Sequence, residues 1–189
     1  MSSFPLYLLR HGEPEGAGRL IGRTDAPPTA ADIAACADQA RDLAAEVLIA
    51  SDLSRARLAG EAIGLATDVP LSIDPRWREL DFGAWDGMAP GDVEGAALAR
   101  FWDDPDGHAP PGGERWSALV ERVSAAIDDL AARPTLIVTH AGAMRAALAV
   151  LCGFDMHQTW AVDLPYNCLL TLRVWPGATP TAQIAGLYP

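Results

Sequence analysis

The sequence predicts an α/β fold, a three-layer sandwich in which a mostly parallel central sheet carries helices on both faces. Three observations lead to this prediction. Short apolar runs alternate along the chain with segments whose apolar residues recur at helical spacing. Half of the 189 residues are hydrophobic and 21% are charged, which is the balance of a globular protein. A chain of this length can bury one sizeable core, so we expect a single domain over residues 1–189.

The amino-terminal part of the chain begins this alternation. The apolar run 6–9 ends abruptly in charge, as buried strands often do. Further on, Thr29 and Asp32 form a loose capping box ahead of apolar residues at helical spacing. Here strands are predicted over residues 6–9, 47–50 and 71–73, and helices over residues 29–45 and 53–65.

The residue composition changes at residue 76, and the alternation of strand and helix patterns resumes after residue 113. The segment 76–113 is rich in Gly, Pro, Asp and Trp, which predicts a short cap with one helix at about 93–102. The run 135–139 is the clearest strand pattern of the chain. Beyond the cap, helices are predicted over residues 116–130 and 143–152, and strands over residues 135–139, 169–174 and 182–187.

Charge and cysteine usage exclude several classes of protein. The formal net charge is −11, so nothing electrostatic favours binding to nucleic acid or to an anionic membrane. No apolar run approaches the length of a membrane span, and the first residues do not resemble a signal peptide. The three cysteines (Cys36, Cys152 and Cys168) are far apart and odd in number, which indicates small buried side chains in a reducing compartment. We therefore expect a cytoplasmic protein.

Two histidines follow predicted strands directly. His11 lies in Arg10-His11-Gly12-Glu13 after the first strand, and His140 follows the strand 135–139. In α/β sheets, ligands gather at the carboxyl ends of the strands, and histidine is suited to nucleophilic or acid–base chemistry near neutral pH. The alternative is two unrelated histidines, one at the surface and one in the core. Finding both beside a strand end favours a shared site.

These motifs, with three others in the same order, resemble the histidine phosphatase superfamily, the phosphoglycerate-mutase-like proteins. Arg10-His11-Gly12-Glu13 resembles its signature, and Thr139-His140 its closing histidine motif. The other three are Ser51-Asp52-Leu53-Ser54-Arg55-Ala56, Glu79 with Phe82-Gly83-Ala84-Trp85-Asp86-Gly87, and Pro111-Gly112-Gly113-Glu114. Together they span residues 8–142, about three quarters of the chain. The resemblance implies a phosphoglycerate-mutase-like fold and a phosphomonoesterase.

The catalytic roles come partly from chemistry and partly from this resemblance. Guanidinium groups match the geometry of a phosphate, so Arg10 and Arg55 are candidate clamps, and a protonated His140 would add a third donor. The resemblance implies that His11 is the nucleophile and forms a phosphohistidine. Glu79 is the candidate general acid, but spacing alone does not choose it over the neighbouring carboxylates, Asp81 and Asp86.

A second group of residues is predicted to contact substrate more weakly. Gly22-Arg23-Thr24-Asp25 resembles a loop that lines the phosphate pocket in relatives, so Gly22 and Arg23 are candidates, and Glu13 is another. Arg23 is otherwise a solvated loop arginine. Glu114 is expected to be structural. The four histidines show no metal-ligand spacing, so we expect no metal and no other cofactor.

The resemblance also bears on the substrate. Mutase relatives are longer and carry asparagine near the position of Ala17, so hydrolysis of a small phosphorylated metabolite is favoured over mutase chemistry. Chain length and the 22–25 loop resemble the alpha-ribazole phosphatases of cobalamin biosynthesis. A mutase, a broad sugar-phosphate or nucleotide phosphatase, and a non-catalytic phospho-ligand-binding protein stay open, as does a homodimer. The cap tryptophans either stack on a leaving group or pack in the lid: Trp77, Trp85, Trp102 and Trp116.

Overall fold

The computed structural model describes residues 2–189 and contains one six-stranded sheet in the order β3-β2-β4-β1-β5-β6. The strands are β1 (Phe4–Arg10), β2 (Val47–Ala50), β3 (Leu71–Ile73), β4 (Thr135–Thr139), β5 (Leu169–Trp175) and β6 (Thr181–Tyr188). The helices are α1 (Ala30–Ala40), α2 (Ser54–Thr67), α3 (Gly95–Asp103), α4 (Trp116–Asp128), α5 (Ala141–Cys152) and α6 (Met156–Thr159).

The sheet is mixed, with one strand running against the rest. Strands β3, β2, β4 and β1 pair in parallel, whereas β5 is antiparallel to both of its neighbours, β1 and β6. The two central parallel strands, β1 and β4, lie side by side in the register Arg10↔Thr139. The α/β prediction of a mostly parallel sheet is confirmed, and the register brings the carboxyl ends of β1 and β4 to the same edge.

Helices cover both faces of the sheet because successive strand side chains point to opposite sides. On β1, Leu6 and Leu8 pack into a core with α4, α5 and the segment 77–101, whereas Leu9 packs into a second core with α1 and α2. The larger core continues into the cap through buried Trp77 and Trp85. The cap is thus joined to the sheet by apolar packing.

The structure differs from the sequence predictions at several helix ends. Thr29 caps α1 as expected by accepting from the Asp32 amide, but the helix ends at Ala40, and residues 43 and 45 reach the second core from the loop before β2. Helix α5 starts two residues earlier than predicted, directly after His140. Helix α6 was missed, although Asp155 and Gln158 form a complete capping box. No helix within residues 2–189 is long and apolar enough to cross a membrane.

Candidate active site

The two strand-end histidines meet at the carboxyl edge of the sheet. The ring centroids of His11 and His140 are 4.8 Å apart in an edge-to-face arrangement, and both rings are buried. His11 directly follows β1, and its amide donates to the carbonyl of Thr139 at the end of β4. Pairing of the two central strands therefore fixes the distance between the rings.

Local contacts leave the outer nitrogen of His11 unprotonated. Nδ1 lies 2.6 Å from the carbonyl oxygen of Gly12, and since a carbonyl only accepts, Nδ1 carries the proton. Nε2 then keeps its lone pair. Burial lowers the pKa of His11 well below its usual value, and the Arg55 guanidinium lowers it further. His11 thus has the tautomer and charge that a nucleophile needs at neutral pH.

Two arginines flank these rings. Arg10 stacks with its guanidinium carbon 3.9 Å from the ring centroid of Tyr166 and donates to the carbonyl of Leu164. Arg55 is almost fully buried and donates at 2.8 Å to each of the carbonyls of Gly22 and Thr24. Both guanidinium groups line the same cavity as His11, of about 280 Å³. Their carbonyl partners hold the two cations in place.

His140 has an unusual environment for a polar ring. It is 0% exposed, and neither ring nitrogen has a hydrogen-bond partner. Burial lowers the pKa of His140 well below its usual value, with a further contribution from His11. The ring is therefore neutral here, not protonated. A buried polar group without a partner costs about 1–3 kcal/mol. His140 does not line the cavity, so the structure does not bring this predicted third donor to the cavity wall.

The structure distinguishes Glu79 from its neighbouring carboxylates. Glu79 lines the cavity, with Oε1 accepting from the Leu80 amide at 2.8 Å and Oε2 from the Gly142 amide at 3.2 Å. Asp81 instead accepts from the Gly83 amide and pairs with Arg23. Asp86 accepts from the three successive amides of residues 22–24. Neither aspartate lines the cavity.

The second group of predicted residues lies outside the cavity. The Gly22 and Arg23 amides are taken by Asp86, and Nε of Arg23 is 3.2 Å from the Asp81 carboxylate. Glu13 is exposed, and its amide donates to Asp32. Gly22 contributes by its lack of a side chain: a Cβ there would lie 2.2 Å from the carbonyl oxygen of Leu80. The loop thus supports Arg55 from behind, and these three residues do not line the cavity.

Arg122 and Glu114 brace the loop that carries Glu79. Arg122 donates to the carbonyls of Arg76, Arg78 and Glu79 at 2.7 to 2.9 Å. It also makes a bidentate pair with Glu114, whose second oxygen accepts from the Asp81 amide. Glu114 is therefore structural, as its position before α4 suggested.

Sequence reasoning missed several cavity residues. Arg145 of α5 lies with its guanidinium carbon 4.0 Å from the ring centroid of Trp160 and donates to the Val162 carbonyl at 3.0 Å. Arg19 and Tyr166 also line the cavity. An arginine inside the otherwise apolar helix α5 was the available signal for Arg145. With four arginines and one carboxylate on its wall, the cavity is cationic within an acidic chain.

The described residues contain no group of three or more His, Cys, Asp or Glu side chains placed to hold a metal ion. Cys36 and Cys168 are buried and Cys152 partly so, all with free thiols.

Fold and site together define a class: an α/β protein with two buried histidines at strand ends, one of them on the wall of an arginine-lined cavity. The chain matches the model of the histidine phosphatase superfamily (branch 1) over residues 6–184 and belongs to that family. It is a phosphoric monoester hydrolase.

Several relatives carry more specific names. The chain is 32% identical to the glucosyl-3-phosphoglycerate phosphatase of Mycolicibacterium vanbaalenii, covering 83% of this chain and 77% of that protein. It is also 32% identical to a Proteus mirabilis protein named "Probable phosphoglycerate mutase GpmB", covering 88% and 82%. The solved alpha-ribazole phosphatase of Shigella flexneri superposes with a TM-score of 0.82 at 24% identity, covering 96% of this chain and 95% of that one. That likeness shows the shared fold.

Proposed function

We propose that the protein hydrolyses a phosphate monoester of a small metabolite through a phosphohistidine on His11. The observation that carries this proposal is the state of His11: Nδ1 is held by a carbonyl, Nε2 is free, and Arg10 and Arg55 line the same cavity. A binding protein would need the cations but not an unprotonated ring together with the Glu79 carboxyl group. The presence of Glu79 on the same wall therefore favours catalysis.

In the first step, Nε2 of His11 attacks the phosphorus and the ester P–O bond breaks. The leaving alkoxide takes the proton of the Glu79 carboxylic acid and departs as an alcohol. Arg10 and Arg55 stabilise the charge that builds on the non-bridging oxygens. The His140 ring is fully buried beside His11 and does not line the cavity, so no contact with these oxygens is assigned to it.

In the second step, the Glu79 carboxylate removes a proton from water, and the hydroxide attacks the phosphorus. The P–N bond breaks, inorganic phosphate leaves, and His11 and protonated Glu79 are restored. Because the cap is short, we expect water to reach the intermediate, which favours hydrolysis over transfer to a second hydroxyl of the substrate.

For the substrate we propose alpha-ribazole 5′-phosphate first, which would place the enzyme in cobalamin biosynthesis. Chain length and an aromatic cavity wall support this choice. A second candidate is a phosphorylated glycerate such as glucosyl-3-phosphoglycerate. It is favoured by Arg145 and Arg19, which add cations that a substrate carboxylate can bind. A substrate panel of alpha-ribazole 5′-phosphate, 3-phosphoglycerate, sugar phosphates and nucleotides would reveal a phosphoglycerate mutase or a broad sugar-phosphate phosphatase instead.

The test combines trapping with that panel. The protein is mixed with p-nitrophenyl phosphate or panel substrates and quenched, and an acid-labile, base-stable phosphoprotein is sought by mass spectrometry. His11→Ala should remove both the adduct and turnover while keeping the urea unfolding midpoint. His108→Ala is the matched control, because His108 is exposed outside the cavity. Near wild-type turnover in His11→Ala would refute the proposal.

A further inference from the structure

One part of the cavity wall is apolar and largely aromatic, unlike the part formed by His11, Arg10 and Arg55, which we call the cationic cradle. It is built by three short stretches of chain: α3, the start of α4, and the region of α6. Its members are Phe101, Trp102, Trp116, Leu119, Met156 and Trp160. Two of the cap tryptophans thus line the cavity, whereas Trp77 and Trp85 lie in the core.

Two of these rings are exposed although they touch each other. Trp102 and Trp160 meet edge to face with centroids 5.3 Å apart, yet they are 41% and 49% exposed. Trp77, in contrast, is fully buried. Large aromatic side chains left open at the mouth of a cavity indicate a surface that a ligand covers.

Trp160 is also held in position from one face. The Arg145 guanidinium lies against that face and donates to the carbonyls of Thr159 and Val162, which flank Trp160 in the chain. The ring is therefore fixed before a ligand arrives, which reduces the entropy lost on binding.

The residues that line the cavity favour a planar apolar leaving group over a polyol. Among the residues that the structure describes, the cavity wall includes no Ser, Thr, Asn, Gln, Asp or Lys side chain. A polyol set against Trp102 and Trp160 would lose hydrogen bonds to water and could recover them only from the charged side chains of the wall, such as Arg19 and Arg145. A planar apolar group would instead gain stacking and burial.

We infer that this wall is a leaving-group subsite for an aromatic or heteroaromatic ring, so that the substrates are phosphate esters of alcohols that carry such a ring. The inference rests on the proposed function, since the wall selects substrates only if His11 and Glu79 turn them over. The inference specifies only the alcohol part of the ester. It does not depend on how His11 and the arginines bind and transfer the phosphoryl group.

The experiment compares two esters of primary alcohols, 2-phenylethyl phosphate and glycerol 1-phosphate. We expect kcat/KM to be at least tenfold higher for the phenylethyl ester. Trp102→Leu and Trp160→Leu should each lower this preference about five- to tenfold, mainly through KM. Trp175→Leu is the matched control, because Trp175 is similarly exposed at 39% but lies outside the cavity.

The outcomes separate the two proposals. If the wild-type protein hydrolyses neither ester, and p-nitrophenyl phosphate gives neither turnover nor a His11 adduct, the proposed function fails. If p-nitrophenyl phosphate is turned over and neither ester is, the subsite is refuted. If the wild-type protein hydrolyses both esters with equal kcat/KM, or if the Trp102 and Trp160 variants lower both equally, the subsite is refuted and the proposed function stands. Should a variant fail to fold by circular dichroism, inhibition of the wild type decides: 2-phenylethanol must inhibit at lower concentration than glycerol, and equal inhibition overturns the inference.

Discussion

Replacement of Arg122 by Met should destabilise the fold far more than a typical loss of an ion pair. Arg122 makes five hydrogen bonds, three to carbonyls of the loop around Glu79 and two to Glu114. The two side chains are only 18% and 12% exposed. Removing one partner of a fully buried pair leaves an uncompensated charge and costs about 3–5 kcal/mol. Because this pair is partly exposed, we expect Arg122→Met to lower the free energy of unfolding by about 3 kcal/mol, the lower end of that range.

The assay is urea unfolding followed by circular dichroism. The matched control is Arg133→Met, since Arg133 pairs with Glu46 at the surface, where the side chains are 57% and 51% exposed. That exposed pair should contribute no more than about 1 kcal/mol. The double variant Arg122→Met/Glu114→Leu removes the orphaned carboxylate, so its cost should fall below the sum of the single variants by about 2 kcal/mol.

Two results would refute this reasoning. If Arg122→Met cost no more than Arg133→Met, the brace would contribute nothing beyond a surface pair. If the two single costs simply added in the double variant, Arg122 and Glu114 would not be coupled. Because the Glu79 carbonyl is among the acceptors, kcat for alkyl phosphates should also fall in the folded fraction of Arg122→Met.

Three further predictions concern the site. In Gly142→Ala, the new Cβ would lie 2.0 Å from Oε1 of Glu79, so the carboxylate must move. We expect kcat to fall more for alkyl phosphates than for p-nitrophenyl phosphate, as in Glu79→Gln, with little change in the free energy of unfolding. Equal losses of kcat for the two kinds of substrate would remove the acid role from Glu79. Since burial lowers the pKa of both His11 and His140, the unfolded chain binds more protons below pH 6.5. Stability should therefore decrease as pH falls from 7 to 5.5, by at most about 1.4 kcal/mol per pH unit for each ring, with a smaller slope in His140→Gln; equal urea midpoints at both pH values would contradict this. Hydrolysis should continue unchanged in EDTA, and loss of activity that zinc or magnesium restores would defeat the metal-free mechanism.

The fold and the central residues were predictable because their signals are local. An apolar run followed at once by histidine places His11 and His140 at strand ends, and parallel pairing brings such ends to one edge. The information needed to choose among Glu79, Asp81 and Asp86 was not in the neighbouring sequence. It depends on Asp86 accepting from amides more than 60 residues away in the chain, which also turns Gly22 and Arg23 from the cavity.

Arg145 and Trp160 were missed because their place in the cavity depends on the path of the chain after α5. Arg145 reads as an interruption of an apolar helix, and only the carbonyls at residues 159 and 162 explain why it is tolerated there. Trp160 follows a four-residue helix, too short for a periodic pattern. Its capping residues, Asp155 and Gln158, were readable in the sequence.

The cavity wall is built from two kinds of structure, the centre of the sheet and short helices outside it. The reacting imidazole and its neighbours belong to the paired centre of the sheet, where a change of backbone would disturb the whole core. Trp102 lies on α3 and Trp160 directly follows α6, two short helices outside the sheet. If the proposed subsite holds, the accepted alcohol can be changed by replacing these two partly exposed side chains, while the buried residues of the same helices, such as Phe101 and Thr159, keep the core packed.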